Sequence, residues 1–217
     1  MASDPLLPAP TVRPGVAPRL PAAKRRRQLL DVALAAFADG GYHGTSMDDV
    51  AAAAGVTKPV LYQHFGSKRA LYIELLEDVG TQLMDVIAKA AAEADGPSRQ
   101  VEAGFRAYFR FVENHEPAFR LLFGGGSKRD EGFADRVRLV EGAIAELIAS
   151  FITASLPPEQ TLTLAHGIVG MAESTCRHWL RERAEGATTV TADELADQLA
   201  ELAWAGLRGV GRHWTPS

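Results

Sequence analysis

Three polar side chains between residues 58 and 68 have the chemistry needed to read or hold a nucleic acid duplex. Lys58 is a flexible cation that can reach guanine N7/O6 or a phosphate, and Gln63 can pair with the edge of an adenine. Lys68 follows Ser67, whose hydroxyl can cap a helix, so the Lys68 ammonium and that helix N-terminus could share one phosphate. This combination indicates contacts with duplex DNA.

A helix-turn-helix is the element that would position these side chains. Ser46 and Asp49 offer a capping box at the start of its first helix, with Thr45 and Asp48 as the alternative register. Gly55 permits the positive φ that a tight turn between two helices needs. The second helix of such a motif lies with its N-terminal end in the major groove.

The second helix has a start signal and apolar anchors of its own. Thr57 is predicted to cap it, and Pro59 lies in its first turn, where a missing N–H costs nothing. A simple helical hairpin is the alternative interpretation. The apolar residues of the motif are predicted to form its core and to make no DNA contact: Val50, Val56, Leu61 and Phe65.

The charge of the chain is unevenly distributed. Residues 1–70 contain nine Lys and Arg against five Asp, a net charge of +4, which leaves −8 for the rest of a chain whose total is −4. A basic N-terminal part followed by an acidic remainder suits a protein that binds a polyanion with its N-terminal part. The basic run at residues 24–27 would lie beside the DNA backbone or over a minor groove, or else form a solvated charge run.

Apolar residues recur at helical spacing along most of the chain, and no stretch alternates with the period of a strand. We therefore predict an all-α fold of about nine helices. Residues 1–20 are predicted to form a disordered arm, 21–68 the helix-turn-helix DNA-binding domain, and 69–217 a ligand-binding and dimerisation domain. The predicted helices cover residues 22–38, 47–54, 58–64, 68–94, 98–112, 118–123, 130–156, 159–184 and 191–213, with Ser98 as the cap of the fifth.

Composition excludes several classes of protein. The single cysteine, Cys176, excludes an internal disulfide framework and fits a reducing compartment. No apolar run approaches the ~20 residues of a membrane span. The proline-rich first 20 residues lack the apolar segment of a signal peptide. We therefore expect a cytoplasmic protein.

The patterns of common enzyme sites are absent from the sequence. No glycine-rich phosphate loop follows a strand, and no HExxH motif is present. Cys176 and His178 are two residues apart on a predicted helix, so they point to different sides and form no dyad. We expect no enzymatic activity, no cofactor and no metal site. An all-α enzyme and a helical lipid-binding protein without DNA function are the alternatives.

Residues 24–72 resemble the DNA-binding domain of the TetR family of bacterial regulators. The motifs that carry the likeness are FADGGY at 37–42, TSMDDVA at 45–51, AGVT at 54–57 and LYQHFGSK at 61–68. The resemblance implies that Lys58, Pro59, Tyr62 and Gln63 face the major groove and that Thr45, Tyr62, His64 and Lys68 hold phosphates. Asp48 and Asp49 stand where some relatives have a base-reading cation, and we expect them to serve as caps. The complete candidate DNA-binding set is Lys24, Arg25, Thr45, Thr57, Lys58, Pro59, Tyr62, Gln63, His64 and Lys68.

The resemblance also implies a homodimer that binds a double-stranded DNA operator. Its interface would be formed by the last two long helices, whose small residues permit close approach. Those small residues are Gly167, Gly170, Ala172, Ser174, Ala200, Ala203, Ala205 and Gly206.

The central part of the chain could surround an elongated apolar pocket, although such residues are also ordinary core. Its candidate ligand-binding residues are Phe105, Tyr108, Phe109, Phe119, Phe123, Phe133, Val137, Ile144, Ile148, Met171 and Trp179. The motifs YQHF at 62–65, VGM at 169–171, CRHWL at 176–180 and WAGL at 204–207 resemble actinobacterial TetR-type regulators of fatty-acid synthesis that sense long-chain acyl-CoA. The expected function is a ligand-responsive, dimeric DNA-binding regulator with a small apolar effector, acting as a repressor, the commoner outcome in this family.

Overall fold

The computed structural model describes residues 21–123, 131–152 and 156–210. These residues contain helices and no strand, so the all-α prediction is confirmed. The predicted arm at residues 1–20 and the glycines at 124–126 lie outside the described residues. The nine described helices are α1 (Ala22–Gly44), α2 (Met47–Ala53), α3 (Lys58–His64), α4 (Lys68–Ala92), α5 (Pro97–Asn114), α6 (Glu116–Phe123), α7 (Glu131–Phe151), α8 (Pro158–Ala184) and α9 (Ala192–Gly209).

The first helix is longer than predicted and contains a break. It was predicted to end at Ala38, but α1 continues to Gly44. Within it, Gly41 has a φ of 68° and a ψ of 171°, a conformation that only glycine adopts at little cost. The glycine pair therefore bends the chain instead of ending the helix, and the turn after it carries Tyr42 towards the body of the protein.

The N-terminal caps of the helices show which of the capping residues predicted from the sequence are used. Ser46 and Asp49 form the capping box of α2, with the Ser46 N–H donating to the Asp49 carboxylate at 2.8 Å and the Asp49 N–H donating to the Ser46 hydroxyl at 3.1 Å. Thr57 occupies the N-cap position of α3 but makes no side-chain capping bond. Ser98 as the cap of α5 was wrong, since α5 begins at Pro97 after Gly96, whose φ is 87°.

The later helix ends also differ from the prediction. Helix α7 ends at Phe151 instead of reaching 156, and α8 begins at Pro158, because proline is favoured in the first turn of a helix. Helix α9 begins after Thr191, which forms a capping box with Glu194, and ends at Gly209. The predicted end at residue 213 falls outside the described residues.

Helix α4 is the central element of the packing. It contacts α5 and α7, α5 packs in turn against α9, and α7 packs against α8. At one crossing α4 and α7 approach closely, because a Cβ on Gly80 would lie 2.5 Å from Val140 Cγ1. Among the described residues, no helix is long and apolar enough to cross a membrane.

Candidate DNA-binding surface and apolar cavity

Helix α3 divides into a buried face and an exposed face. Leu61 is fully buried and Phe65, which follows the helix, is 2% exposed, so both anchor α3 to the core as predicted. No residue that the structure describes covers the opposite side, where Tyr62 is 42% exposed. The predicted groove-facing residues that lie exposed together are Thr57, Lys58, Pro59, Tyr62 and Gln63.

An ion pair crosses from α2 to α3 on this surface. Lys58 Nζ donates to Asp48 Oδ2 at 2.7 Å, and both side chains are at least half exposed. The hydrogen bond and charge of Asp48 raise the pKa of Lys58, so the ammonium stays protonated. Of the two acids expected to be caps, Asp49 is the cap and Asp48 is not. Asp48 instead holds the cation predicted to reach the bases.

Part of the basic run at the start of α1 has a structural role. Arg26 binds the Glu74 carboxylate of α4 through Nε at 2.9 Å and Nη2 at 2.6 Å, and its Nη1 donates to the carbonyl oxygen of His64 at 2.6 Å. Its guanidinium also lies 4.5 Å from the ring centroid of Phe65. Arg26 therefore fixes the end of α3 against α1 and α4, a role that the sequence did not predict.

The other members of this basic run differ in the ion pairs and hydrogen bonds that they make. Arg27 is paired with Asp31 and Asp78 at 2.6 and 2.7 Å. Arg25 Nη1 donates to Gln28 at 2.7 Å, and Lys24 is exposed. Among the described residues, Lys24 and Arg25, the two members of the candidate set, make no ion pair, and of these Lys24 is exposed and Arg25 half-buried.

Three residues predicted to contact phosphates are less exposed than those on the outer face of α3. Thr45 is only 5% exposed and its hydroxyl donates to the carbonyl oxygen of Ala36 at 3.1 Å, so this hydroxyl has a structural role and the expected phosphate contact is corrected. His64 is half-buried. Lys68 is also half-buried, with Nζ 4.4 Å from the ring centroid of Tyr42. Lys68 begins α4, whose Ser67 cap accepts a bond from the Ala70 N–H at 3.0 Å.

An apolar cavity of about 240 Å³ lies in the helical body. Helices α4, α5, α7, α8 and α9 all contribute to its wall, which is rich in aliphatic side chains. The lining residues are Ile87, Ala91, Pro97, Gln100, Val101, Gly104, Phe105, Tyr108, Phe123, Ile144, Ile148, Phe151, Ile152, Ile168, Val169, Ala172, Glu173, Trp204, Leu207 and Arg208.

The structure brings together only part of the predicted ligand-binding set. Phe105, Tyr108, Phe123, Ile144 and Ile148 line the cavity. The members that do not line it are Phe109, Phe119, Phe133, Val137, Met171 and Trp179.

The excluded aromatics have packing roles elsewhere. Phe109 is fully buried and packs edge-on against Tyr108 and Trp179, while the Trp179 indole N–H donates to the carbonyl oxygen of Val190 at 2.8 Å. Small residues on three different helices line the cavity, namely Ala91, Gly104 and Ala172. Because these residues are far apart in the chain, the sequence carried no local signal for the cavity.

Phe133, at the start of α7, belongs to a cluster beside the DNA-binding end. Its ring centroid lies 4.5 Å from that of Tyr42 and 4.6 Å from that of Tyr72. The guanidinium of Arg69 lies 5.0 Å from the Phe133 ring, and Arg69 Nη2 donates to the carbonyl oxygen of Gly132 at 2.9 Å. Helix α7 thus touches the DNA-binding end at one terminus and the cavity at the other.

Within the described parts of the protomer, helices α8 and α9 leave one small-residue face uncovered. Gly167, Gly170 and Ser174 are exposed on α8. On α9 the exposed residues include Ala205, Gly206 and Leu202, which is 63% exposed. The other small residues of the predicted interface are buried within the protomer and are corrected: Ala172, Ala200 and Ala203.

Two family models match most of the described chain. The model described as "Bacterial regulatory proteins, tetR family" matches residues 29–75. The model described as "Tetracyclin repressor-like, C-terminal domain" matches residues 97–206.

Several individual proteins are similar to this chain over most of their own length. The HTH-type transcriptional activator FasR of Mycolicibacterium smegmatis is 31% identical over 194 residues, which covers 88% of this chain and 87% of FasR. A TetR-like transcriptional regulator from Rhodococcus sp. RHA1 is 31% identical, with a TM-score of 0.71 over 88% of this chain and all of that one. FadR from Bacillus subtilis, solved in complex with stearoyl-CoA, shares the fold at 15% identity, with a TM-score of 0.70 over 83% of this chain and 98% of that one.

Proposed function

This chain belongs to the TetR family of bacterial transcription regulators, and from that premise we propose that it is an effector-controlled dimer whose DNA affinity is set by an elongated apolar molecule in the body. The protein is a DNA-binding regulator of a family that is not enzymatic. We propose residues 21–68 as the DNA-binding domain and 69–217 as the effector and dimerisation domain.

The apolar cavity carries the effector part of this proposal. Its wall is almost entirely aliphatic and aromatic, which is typical of sites that bury a hydrophobic ligand. A fatty acyl group matches this apolar wall, to which several helices contribute aliphatic side chains. The stearoyl-CoA complex of FadR from Bacillus subtilis supports the same class of ligand on this fold. We therefore propose a long-chain acyl compound, such as an acyl-CoA, as the effector.

Helix α4 is the element that would transmit effector binding to DNA. It starts at Lys68, directly after the DNA-reading helix, and its last turns contribute Ile87 and Ala91 to the cavity wall. A small tilt of α4 would change the distance between the two α3 helices of a dimer. A coupling free energy of ~1–3 kcal/mol is enough for a useful switch.

Helix α7 offers a second route for the same coupling. It carries Phe133 at the DNA-binding end and Ile144 and Ile148 at the cavity. A ligand that displaces its last turns would therefore also move the aromatic cluster beside α4.

The test is calorimetry with acyl-CoAs of graded chain length, run beside a gel shift on operator DNA. We expect binding that strengthens with chain length until the cavity is filled, and a matching change in DNA affinity. The proposed direction is repression, with the effector releasing DNA. Transcription from the operator promoter tests the direction, and a fall in transcription on deletion of the regulator would make the chain an activator, as FasR is named. If aromatic compounds bound and no acyl-CoA did, the acyl proposal would fall.

We propose that α3 reads the major groove through the exposed side chains of Lys58, Pro59, Tyr62 and Gln63, with Thr57 beside them at the helix start. Lys24, Arg25, His64 and Lys68 would hold phosphates on either side. The exposure of one face of α3 supports this proposal, as does the position of exposed Lys24 and half-buried Arg25, His64 and Lys68 beside it.

Removing the Asp48 carboxylate should strengthen DNA binding. In Asp48→Asn, Lys58 loses its ion-pair partner and one negative charge leaves the surface that faces phosphate. We expect operator affinity to rise about two- to fivefold, since exposed ion pairs contribute up to ~1 kcal/mol. The salt dependence of binding should also steepen by about one released counterion. Fluorescence anisotropy over a salt series measures both.

Asp135→Asn is the matched control, because it removes the same charge from α7, where Asp135 pairs with Arg138. It should leave operator affinity unchanged, whereas Lys68→Ala should lower it at every DNA sequence. Equal gains in Asp48→Asn and Asp135→Asn would mean that overall charge, and not the Lys58 contact, sets the affinity.

A further inference from the structure

The ring of Tyr42 lies against a cation where the DNA-binding end meets the helical body. The ammonium of Lys68, the first residue of α4, lies 4.4 Å from the centroid of the Tyr42 ring. A cation over an aromatic face is attracted by the negative charge of the π system. Lys68 is a residue for which we propose a phosphate contact, so Tyr42 holds a group of the DNA-binding surface.

The Tyr42 ring is itself fixed by other rings. The ring centroids of Tyr72 on α4 and Phe133 on α7 lie 5.0 and 4.5 Å from that of Tyr42, and both residues are buried. Tyr42 reaches this place because Gly41, with a φ of 68°, bends the chain just before it. A fixed ring restricts the long Lys68 side chain before DNA arrives. Lys68 therefore has fewer rotamers left to lose when it binds a phosphate.

The ring holds the Lys68 ammonium without neutralising it. Among the residues with described positions, Lys68 makes no salt bridge. The nearby Asp49 carboxylate is occupied by Ser46, whose N–H and hydroxyl donate to it at 2.8 and 2.7 Å. These bonds from Ser46 and, to a smaller degree, the charge of Lys68 lower the pKa of Asp49. Lys68 therefore keeps its positive charge for an incoming anion.

The other lysine of the DNA-binding surface is held by a different kind of partner. Lys58 Nζ lies 2.7 Å from Asp48 Oδ2. A carboxylate competes with phosphate for an ammonium, because both form charge-assisted hydrogen bonds with it. An aromatic ring does not compete in this way, since a phosphate can approach the ammonium from the side away from the ring. Lys68 is thus ready to bind a phosphate, whereas Lys58 must first leave its partner.

We propose that Tyr42 is a positioning residue for DNA binding, whose ring holds the charged Lys68 side chain in the place where it meets a phosphate of the operator backbone. This inference rests on the proposed phosphate contact of Lys68. It gives Tyr42 a role in DNA affinity beyond its packing in the aromatic cluster. Because phosphate contacts carry no sequence information, the role extends to every DNA sequence that the protein binds.

A double-mutant cycle on operator affinity, measured by fluorescence anisotropy, tests this role. Tyr42→Leu should weaken binding about fivefold, an effect of the size of one cation–π contact. In a Lys68→Ala background the same substitution should change affinity less than about 1.5-fold, because the group that the ring positions is gone. Tyr42→Phe keeps the ring and should bind DNA within about twofold of the wild type.

Lys58→Ala provides the matched control background, because it removes the same side chain from the lysine that is bound to Asp48 instead of Tyr42. There Tyr42→Leu should again weaken binding about fivefold. An equal loss in all three backgrounds would mean that the ring only supports the fold of the domain, and would overturn the inference while leaving the phosphate contact of Lys68. If Lys68→Ala alone left operator affinity unchanged, the proposed phosphate contact would be rejected and the positioning role with it.

Nuclear magnetic resonance on the wild-type chain without DNA tests the contact itself, whatever the stability of the variants. Protons above an aromatic ring are shielded by its ring current. The ε-methylene protons of Lys68 should therefore resonate upfield of those of Lys58, with Lys68→Ala identifying the signal. The upfield shift should persist in Tyr42→Phe. Lys68 signals at the position of those of Lys58 would overturn the inference.

Discussion

We expect Leu202→Arg to sediment as a monomer and to bind operator DNA at least ~100-fold more weakly than the wild type, because linking two half-site readers raises affinity by this order. TetR-family regulators bind DNA as dimers, and we propose that α8 and α9 form the interface. Leu202 is 63% exposed in the protomer and shares the uncovered face of α9 with Ala205 and Gly206. An arginine there would bring an unpaired charge into a close helix–helix contact.

Leu139→Arg is the matched control for this variant. Leu139, on α7, is also 63% exposed, so the two substitutions make the same chemical change at the same exposure. Leu139→Arg should remain dimeric and bind DNA as the wild type does. Analytical ultracentrifugation beside a gel shift gives both quantities. A dimeric Leu202→Arg protein would place the interface on another face of the molecule.

Gly104→Leu should strongly weaken effector binding while leaving the fold intact or more stable. Gly104 lines the cavity in the interior of α5, and a Cβ added there would lie 3.9 Å from Ile87 Cγ2, an ordinary contact. The leucine side chain would extend into the space that the effector occupies. We expect at least a tenfold loss of affinity for acyl ligands, and a gain of up to ~1 kcal/mol in the free energy of unfolding from removing a helical glycine.

Gly142→Leu separates the cavity effect from the helix effect. Gly142 is in α7 and does not line the cavity, and no atom of the described residues would lie within 4 Å of a Cβ added there. It should gain similar stability and keep full effector affinity. Calorimetry and thermal unfolding on both variants make the comparison, and undiminished binding in Gly104→Leu would place the effector outside this cavity.

The helix-turn-helix was predictable because local rules define it. The capping box of Ser46 and Asp49, the turn at Gly55 and the buried anchors Leu61 and Phe65 follow from spacings of three and four residues. Gly55 has the predicted positive φ, 63°. Such features depend on neighbours along the chain and need no tertiary information.

The cavity residues were only partly predictable, because an aromatic residue on a helix can face either the core or a cavity. Helix α5 is buried on several sides at once, between α4, α6 and α9. Periodicity therefore identified Phe105 and Phe109 equally well as buried, and only the tertiary structure placed the first on the cavity and the second in the core. Phe133 was misplaced for the same reason, since its partners Tyr42 and Tyr72 are distant in sequence.

The sequence by itself determined that this is an all-α, DNA-binding regulator, since helix period, caps and turn residues are encoded within a few positions of each other. Only the tertiary structure decided which charged side chains remain available to DNA. Arg26 reaches Glu74 across 48 residues and Lys58 reaches Asp48 across 10. A cation's freedom depends on which acids the fold brings within hydrogen-bond distance, and that distance is set by helix packing rather than by position in the chain.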